Sequence, residues 1–147
     1  MQYSEGSFGR VFVVKFEDGD DLLEGLKQVA ARERVEAATI LLLGGMRSAG
    51  VVAGPREPVV PPEPVWRNFD DGREVIAIGT LFRKDGEPVV HLHGAIGKQG
   101  ETLVGCIRKE TRIYLVIEAV IAEIAGLAAH KAIDAKTGLV MLQFKKP

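Results

Sequence analysis

Two histidines one residue apart, and a cysteine thirteen positions after the second, offer this chain its most distinctive chemistry. His91, His93 and Cys106 lie in VVHLHGAIGKQGETLVGC, residues 89–106. Imidazole nitrogen and thiolate sulfur are ligands that zinc favours, and three of them leave a fourth position open to water or a bound group. The plain alternative is two surface histidines and a cysteine used as a small buried hydrophobe, a common role for a free thiol. Alternation along a strand points residues i and i+2 to one face, so the two imidazoles face one side and Leu92 the other. The turn KQGE folds the chain back, and that return can bring Cys106 across from the histidine pair.

The elements that must position these residues follow from pattern. RVFVVKF (10–16) is β-branched and aromatic and predicts a strand. EDGD is a turn, after which Asp20 or Asp21 caps the helix DLLEGLKQVAARERV. Its Leu22, Leu23, Leu26, Val29 and Ala30 share one helical face. EAATILLLGG (36–45) predicts a buried strand ending in a glycine pair, with MRSAGVVAG continuing as another strand. Residues 55–68 hold five prolines in ten positions, which forbids a central strand and favours an extended loop. REVIAIGTLFR (73–83), VVHLHGAIG (89–97) and TLVGCIR (102–108) are strands joined by the turns KDGEP and KQGE. RIYLVIEAV has both helix and strand formers, and its Ile, Val and Tyr favour strand. DAKTG (134–138) is a turn before a last strand, LVMLQF. The expected fold class is α/β of the α+β kind, with one or two helices on a central, mostly antiparallel sheet of seven or more strands. The face left uncovered by helix must close on itself or find another copy.

Composition bounds the rest. A chain of 147 residues suggests one domain, 1–147, able to bury its own core. One cysteine forms no internal disulfide, so a reducing cytoplasm is the expected compartment. MQYSEGSFGR lacks the pattern of a signal peptide. The apolar-rich segment 113–129 carries Glu118 and Glu123 and does not suit a bilayer, so no membrane partner is expected. Net charge is −1, from 19 basic and 20 acidic residues. A protein that grips a phosphate backbone usually carries a basic excess or stripe, and here the basic residues are scattered. The densest groups are IRKETR (107–112), interrupted by Glu110, and the terminal FKKP, read as a solvated tail.

Several residues have a functional and a bland reading. His130, alone in LAAHKAI, reads as a half-buried or interface histidine rather than a ligand. Arg47 suits an anion in a cleft, or simply solvent. Arg73 and Glu74 suit a strand-start ion pair, and Glu74 is also the one acid or base to name near a metal. Trp66 covers a pocket or anchors the proline loop. Gly44 and Gly45 supply a turn or bulge, or a close backbone approach. Ser4, Ser7 and Ser48 lie in no nucleophile elbow, and no phosphate-binding glycine loop occurs. A thiolate–imidazole pair of Cys106 with His91 or His93 lacks an evident oxyanion hole.

The stretch VVHLHGAIGKQGETLVGC resembles the motif of the plants-and-prokaryotes conserved domain, carried by AT-hook nuclear proteins in plants and found alone in bacteria and archaea. There a strand with His-x-His is followed by a hairpin and Gly-Gly-His. Val104-Gly105-Cys106 takes the place of Gly-Gly-His. RVFVVKFEDGDDLLEGLKQVAARERVEAATI, LLLGGMRSAGVV, GREVIAIGTL and DAKTGLVML resemble further parts of the family pattern, so the likeness covers nearly the whole chain. It implies a largely antiparallel sheet, a homotrimer, and frequent description as DNA-binding. Some members place a metal at the His-x-His and Gly-Gly-His positions, and the fold is similar to that of acetolactate decarboxylase, with its three-histidine zinc site. Two departures matter. Cysteine replaces the third histidine, which keeps the site suited to zinc but adds negative charge and weakens the ion's Lewis acidity. The AT-hook's Gly-Arg-Pro is absent: the chain has only GRV (9–11) and GRE (72–74). The expectation is therefore a trimeric regulatory or interaction module with zinc on His91, His93 and Cys106, binding other proteins or, with weak support, DNA. The alternatives are a zinc-dependent enzyme acting on a small anionic substrate and a sequence-independent DNA binder.

Overall fold

A computed structural model describes residues 1–144, so the FKKP tail lies largely outside the described residues. The elements are β1 (Ser7–Glu17), α1 (Leu22–Arg32), β2 (Ala37–Pro55), β3 (Pro64–Phe69), β4 (Arg73–Lys84), β5 (Glu87–Lys98), β6 (Glu101–Ala125), β7 (Ala129–Ile133) and β8 (Val140–Phe144). The main sheet has six strands in the order β1-β6-β5-β4-β2-β3, all its pairings are antiparallel, and β7 and β8 form a separate hairpin. The single sheet of seven or more strands is thus corrected to six plus two, and α1 is the one helix among the described residues. No described helix is long and apolar enough to cross a membrane.

Two strands are much longer than the sequence suggested. The segments ending and restarting at Gly44-Gly45 are one strand, β2, and the segments around 102–108 and 112–120 are one strand, β6. Both bend through register shifts near Gly44/Gly45, Met46/Ser48 and Ser48/Gly50. Bulges use the same residues as turns, so locally they look like strand ends. Part of the proline loop is also a strand: Pro64–Phe69 lies at the sheet edge, where an absent N–H costs no ladder bond.

The long strands let the sheet close. β2 pairs with β4, β4 with β5, β5 with β6, and β6 returns to β2. This ring closes around Ile40, Leu42, Val75, Leu81, Leu92, Ile96, Ile113 and Ile117, all buried. α1 adds Leu22, Leu26 and Ala30 to the same core. Its cap is Asp21, whose carboxylate accepts from the Glu24 N–H at 3.1 Å and from the buried Thr111 hydroxyl at 2.8 Å. At the other end Arg83 donates to the carbonyls of Ala30 and Val35, tying helix to sheet.

The outer face of the ring is unusually apolar. Leu41, Leu43, Ile76, Ile78 and Val104 are all more than half exposed there, with Ile76 at 72%. Register places them together: Leu41 opposite Ile78, Leu43 opposite Ile76, and Val104 opposite Ala95. Contiguous exposed apolar surface of this kind is uncommon on soluble monomers.

Candidate metal centre

Two short turns set the site. Asp85-Gly86 and Gln99-Gly100 each connect their strands with two residues at positive φ, the conformation that matches the twist of a tight hairpin. The second turn pairs Lys98 with Glu101, and counting five residues out along each strand puts His93 opposite Cys106. The first turn puts Thr80 opposite His91 and Ile78 opposite His93. Alternation then holds both imidazoles on the outer face, as expected.

The ligand atoms of His91, His93 and Cys106 all lie within 4.8 Å of one another. The two Nε2 atoms are 3.1 Å apart, and the rings meet edge-on at 74°. Without an ion, that contact is a hydrogen bond between the two rings, its donor set by the tautomers. Around a tetrahedral zinc with Zn–N of about 2.0–2.1 Å and Zn–S of about 2.3 Å, the nitrogens stand about 3.3 Å apart and each lies about 3.6 Å from sulfur. The three side chains need only small adjustments to meet those separations, so the donor set fits the ion.

The surroundings favour ligand-competent imidazole. Burial holds His91 down to about 4, helped by the neighbouring His93, Lys131 and Arg108. A neutral ring keeps its lone pair for a metal. Cys106 is 4% exposed, and burial pushes its thiol up against the pull of Arg108, so a metal must displace that proton. His93 is exposed and forms the accessible side of the triad.

The same cross-strand row continues on both sides. From Cys106 it runs through Val52 on β2 to Trp66 on β3; from His93 it runs through Ile78 to Leu41. Between the triad and Trp66 lies a groove of about 750 Å³ with walls that include Val52, Pro62, Pro64, Val104 and Leu139. Trp66 therefore lines a pocket, and its ring is also held by Lys109, whose ammonium is 4.9 Å from the ring centroid.

Other sequence candidates fall elsewhere. Glu74 faces Gly97, four residues along β4 from Ile78, roughly 13 Å from the His93 row at about 3.3 Å per residue. Arg73 pairs at 2.7 Å with Asp71 rather than with Glu74, and holds that carboxyl below its usual range. Arg47 pairs with Asp18 at 2.7 Å and stacks on Tyr114. His130 is half-buried on β7, away from the triad, with its Nδ1 unpartnered. Two residues escaped the sequence reading. Arg108, two beyond Cys106 on the same strand, was legible by alternation. Lys131 reaches the site's surroundings through the β7–β8 hairpin, which packs on β4, and no local signal places it there.

The fold has known relatives. A metal-containing protein from Archaeoglobus fulgidus is 26% identical, with 97% of this chain and 99% of that chain covered at a TM-score of 0.85. A plant- and prokaryote-conserved protein from Pyrococcus horikoshii is 24% identical over 100% of both chains, TM-score 0.83. A candidate DNA-binding protein from Bacteroides thetaiotaomicron is 14% identical, covering 96% of this chain and 99% of its own, TM-score 0.80. The last two likenesses show the fold alone. Comparison with curated proteins yields no match. The model of the Plants and Prokaryotes Conserved (PCC) domain matches residues 3–125, a span that includes the whole ring and all three metal-ligand candidates, and the chain belongs to that family.

Proposed function

We propose that this protein is a homotrimeric binding module of regulatory type, which holds zinc through His91, His93 and Cys106 and offers the ion's fourth position to a small anionic ligand. The observation that carries this reading is the convergence of one sulfur and two imidazole nitrogens within 4.8 Å at the mouth of a groove. The metal-containing relative from Archaeoglobus fulgidus supports it. Zinc would supply an open, positively charged coordination position there. The chain's own residues would orient the ion by the strand register, screen it behind Cys106, and gather Arg108 and Lys131 nearby.

The charge balance favours binding over hydrolysis. Two neutral imidazoles and one thiolate leave a zinc site with net charge of about +1, and the neighbouring side chains are cationic. Hydrolytic chemistry needs an acid or base beside the ion, and Glu74 stands too far along β4. The DNA-binding description belongs to a distant relative. Here, with a net charge of −1 and no Gly-Arg-Pro, contact with DNA would come through partner proteins or an assembled surface.

The test is metal analysis of the purified protein. One zinc per chain is expected in the wild type, falling at least tenfold in Cys106→Ala and in His91→Ala. Wild-type stoichiometry in Cys106→Ala removes the cysteine from the ligand set.

The trimer is assigned to the exposed face of Leu41, Leu43, Ile76 and Ile78, which is too large and too apolar to leave in water. Ile76→Glu places a charge in its middle while leaving the triad row intact. Light scattering should then show the assembly, near three chain masses of 15.9 kDa each, collapse to a single chain. An unchanged mass would place the interface elsewhere.

A further inference from the structure

The groove is polar at one end only. His93, Cys106 and Arg108 gather there, while Val52, Pro62, Pro64, Val104, Trp66 and Leu139 form the rest. Its volume of about 750 Å³ falls within the 300–1,000 Å³ typical of small-molecule sites. Arg108, the cation at the polar end, stands without a counter-charge. Arg10, Arg47 and Arg73 each pair with a carboxylate, but Arg108 and Lys131 make no ion pair or side-chain hydrogen bond among the described residues. Lys131 is only 8% exposed. Burial and the nearby Arg108 both hold Lys131 below its ordinary range.

We propose that this groove binds a small carboxylate with an aromatic or branched aliphatic body. The carboxylate takes the polar end, beside Arg108 and the open position of the ion, and the hydrocarbon lies along Val52 and Val104 toward Trp66. The proposal rests on the zinc reading and adds the class of ligand to it. A monoanion suits the site better than a phosphate ester. The anchors in the groove are one guanidinium and one metal position, with apolar walls immediately behind them, and a guanidinium matches a planar carboxylate in its bidentate geometry. Leu139, which lines the groove, comes from the β7–β8 hairpin region, beyond residue 125 where the family match ends. Ligand selection is thus set partly by a segment outside the matched domain.

The chain has one tryptophan, so Trp66 emission reports directly on the groove. The probe is 3-phenylpropionate, titrated by fluorescence and calorimetry into zinc-loaded protein, with propionate, 3-phenylpropan-1-ol and phenyl phosphate as comparisons. Phenylpropionate should change Trp66 emission and bind at least tenfold more tightly than each of the other three. Arg108→Gln should weaken it at least tenfold with zinc content unchanged. Tighter binding of phenyl phosphate, equal binding of propionate, or indifference to Arg108→Gln at full zinc occupancy overturns the groove proposal and leaves the metal reading standing. A wild type that holds no zinc overturns both. Binding seen only in monomeric Ile76→Glu would show that a neighbouring copy fills the groove, and also overturns it.

Discussion

With zinc held by His91, His93 and Cys106 as proposed, stripping the ion from the wild-type protein should lower its unfolding midpoint by about 10 °C, and the Cys106→Ala variant should show almost no drop. A ligand that binds the folded chain and not the unfolded one stabilises it by about 4 kcal/mol when present at a thousand times its dissociation constant. For a chain of this size each kcal/mol moves the midpoint by about 2–4 °C. The sulfur carries most of this effect. It brings the only negative charge to the ligand set, and at 4% exposure it is held by packing rather than free to swing away. Without it two imidazoles remain, a weak chelate open to water. Cys106→Ala also removes a buried atom and should start from a slightly lower midpoint, so the readout is the difference between loaded and stripped samples. Scanning calorimetry at fixed protein concentration, with and without chelator, measures it. The sign with pH follows from proton competition. Burial raises the Cys106 thiol, the metal must displace its proton, and the zinc-dependent increment should shrink as pH falls. An equal drop in wild type and variant would mean that the ion sits elsewhere.

How much of this site the sequence revealed depended on how local the determinants were. The facing of His91 and His93 needed only strand alternation, and the meeting of His93 with Cys106 needed only a two-residue turn at Gln99-Gly100. Both are properties of fewer than twenty consecutive residues. Arg108 was equally local, but a single arginine in a mixed-charge run has no pattern of its own. Lys131 was beyond reach, whereas Trp66 stood out as the chain's one tryptophan at the end of the proline loop. Lys131 arrives through the packing of β7 on β4, segments far apart in the chain, while Trp66 meets Val52 through the consecutive strands β2 and β3. The fold followed the same division. The helix cap at Asp21, the paired strands around both hairpins and the turn at 134–138 were legible. The unity of β2 and of β6 was not, because Gly44-Gly45 and the segment at Lys109–Thr111 look like stops. Only the partner strand shows that the chain bends there and carries on.

That bend yields the second large effect: Gly44→Ala should cost about 4 kcal/mol, against about 1 kcal/mol for Gly100→Ala. Gly44 pairs with Val75 on one side and Ile117 on the other, and the next pair, Gly45 with Tyr114, skips two residues of β6. Closing β2 onto β6 across that skip puts Gly44 at φ +140, with the space a Cβ would occupy 2.2 Å from the Val116 carbonyl oxygen and 2.8 Å from the Ile117 Cα. Both obstacles are backbone, and a rotamer change relieves neither. Backbone strain of about 1–3 kcal/mol and overpacking of about 1–3 kcal/mol therefore act together. Gly100 also has positive φ, but nothing lies within 4 Å of its absent Cβ, so only the cost of about 1–2 kcal/mol for a left-handed residue remains. Denaturant midpoints of the two variants, taken with zinc stripped from both, separate the terms. The same bend aims the distal half of β2 so that Val52 meets Cys106 and Trp66. Gly44→Ala that still folds should consequently lose zinc affinity as well as stability, although Gly44 is no ligand. Equal costs in the two variants would mean that β6 can give way at the bulge, and that the close approach of β2 is not what fixes the ring or the site it carries.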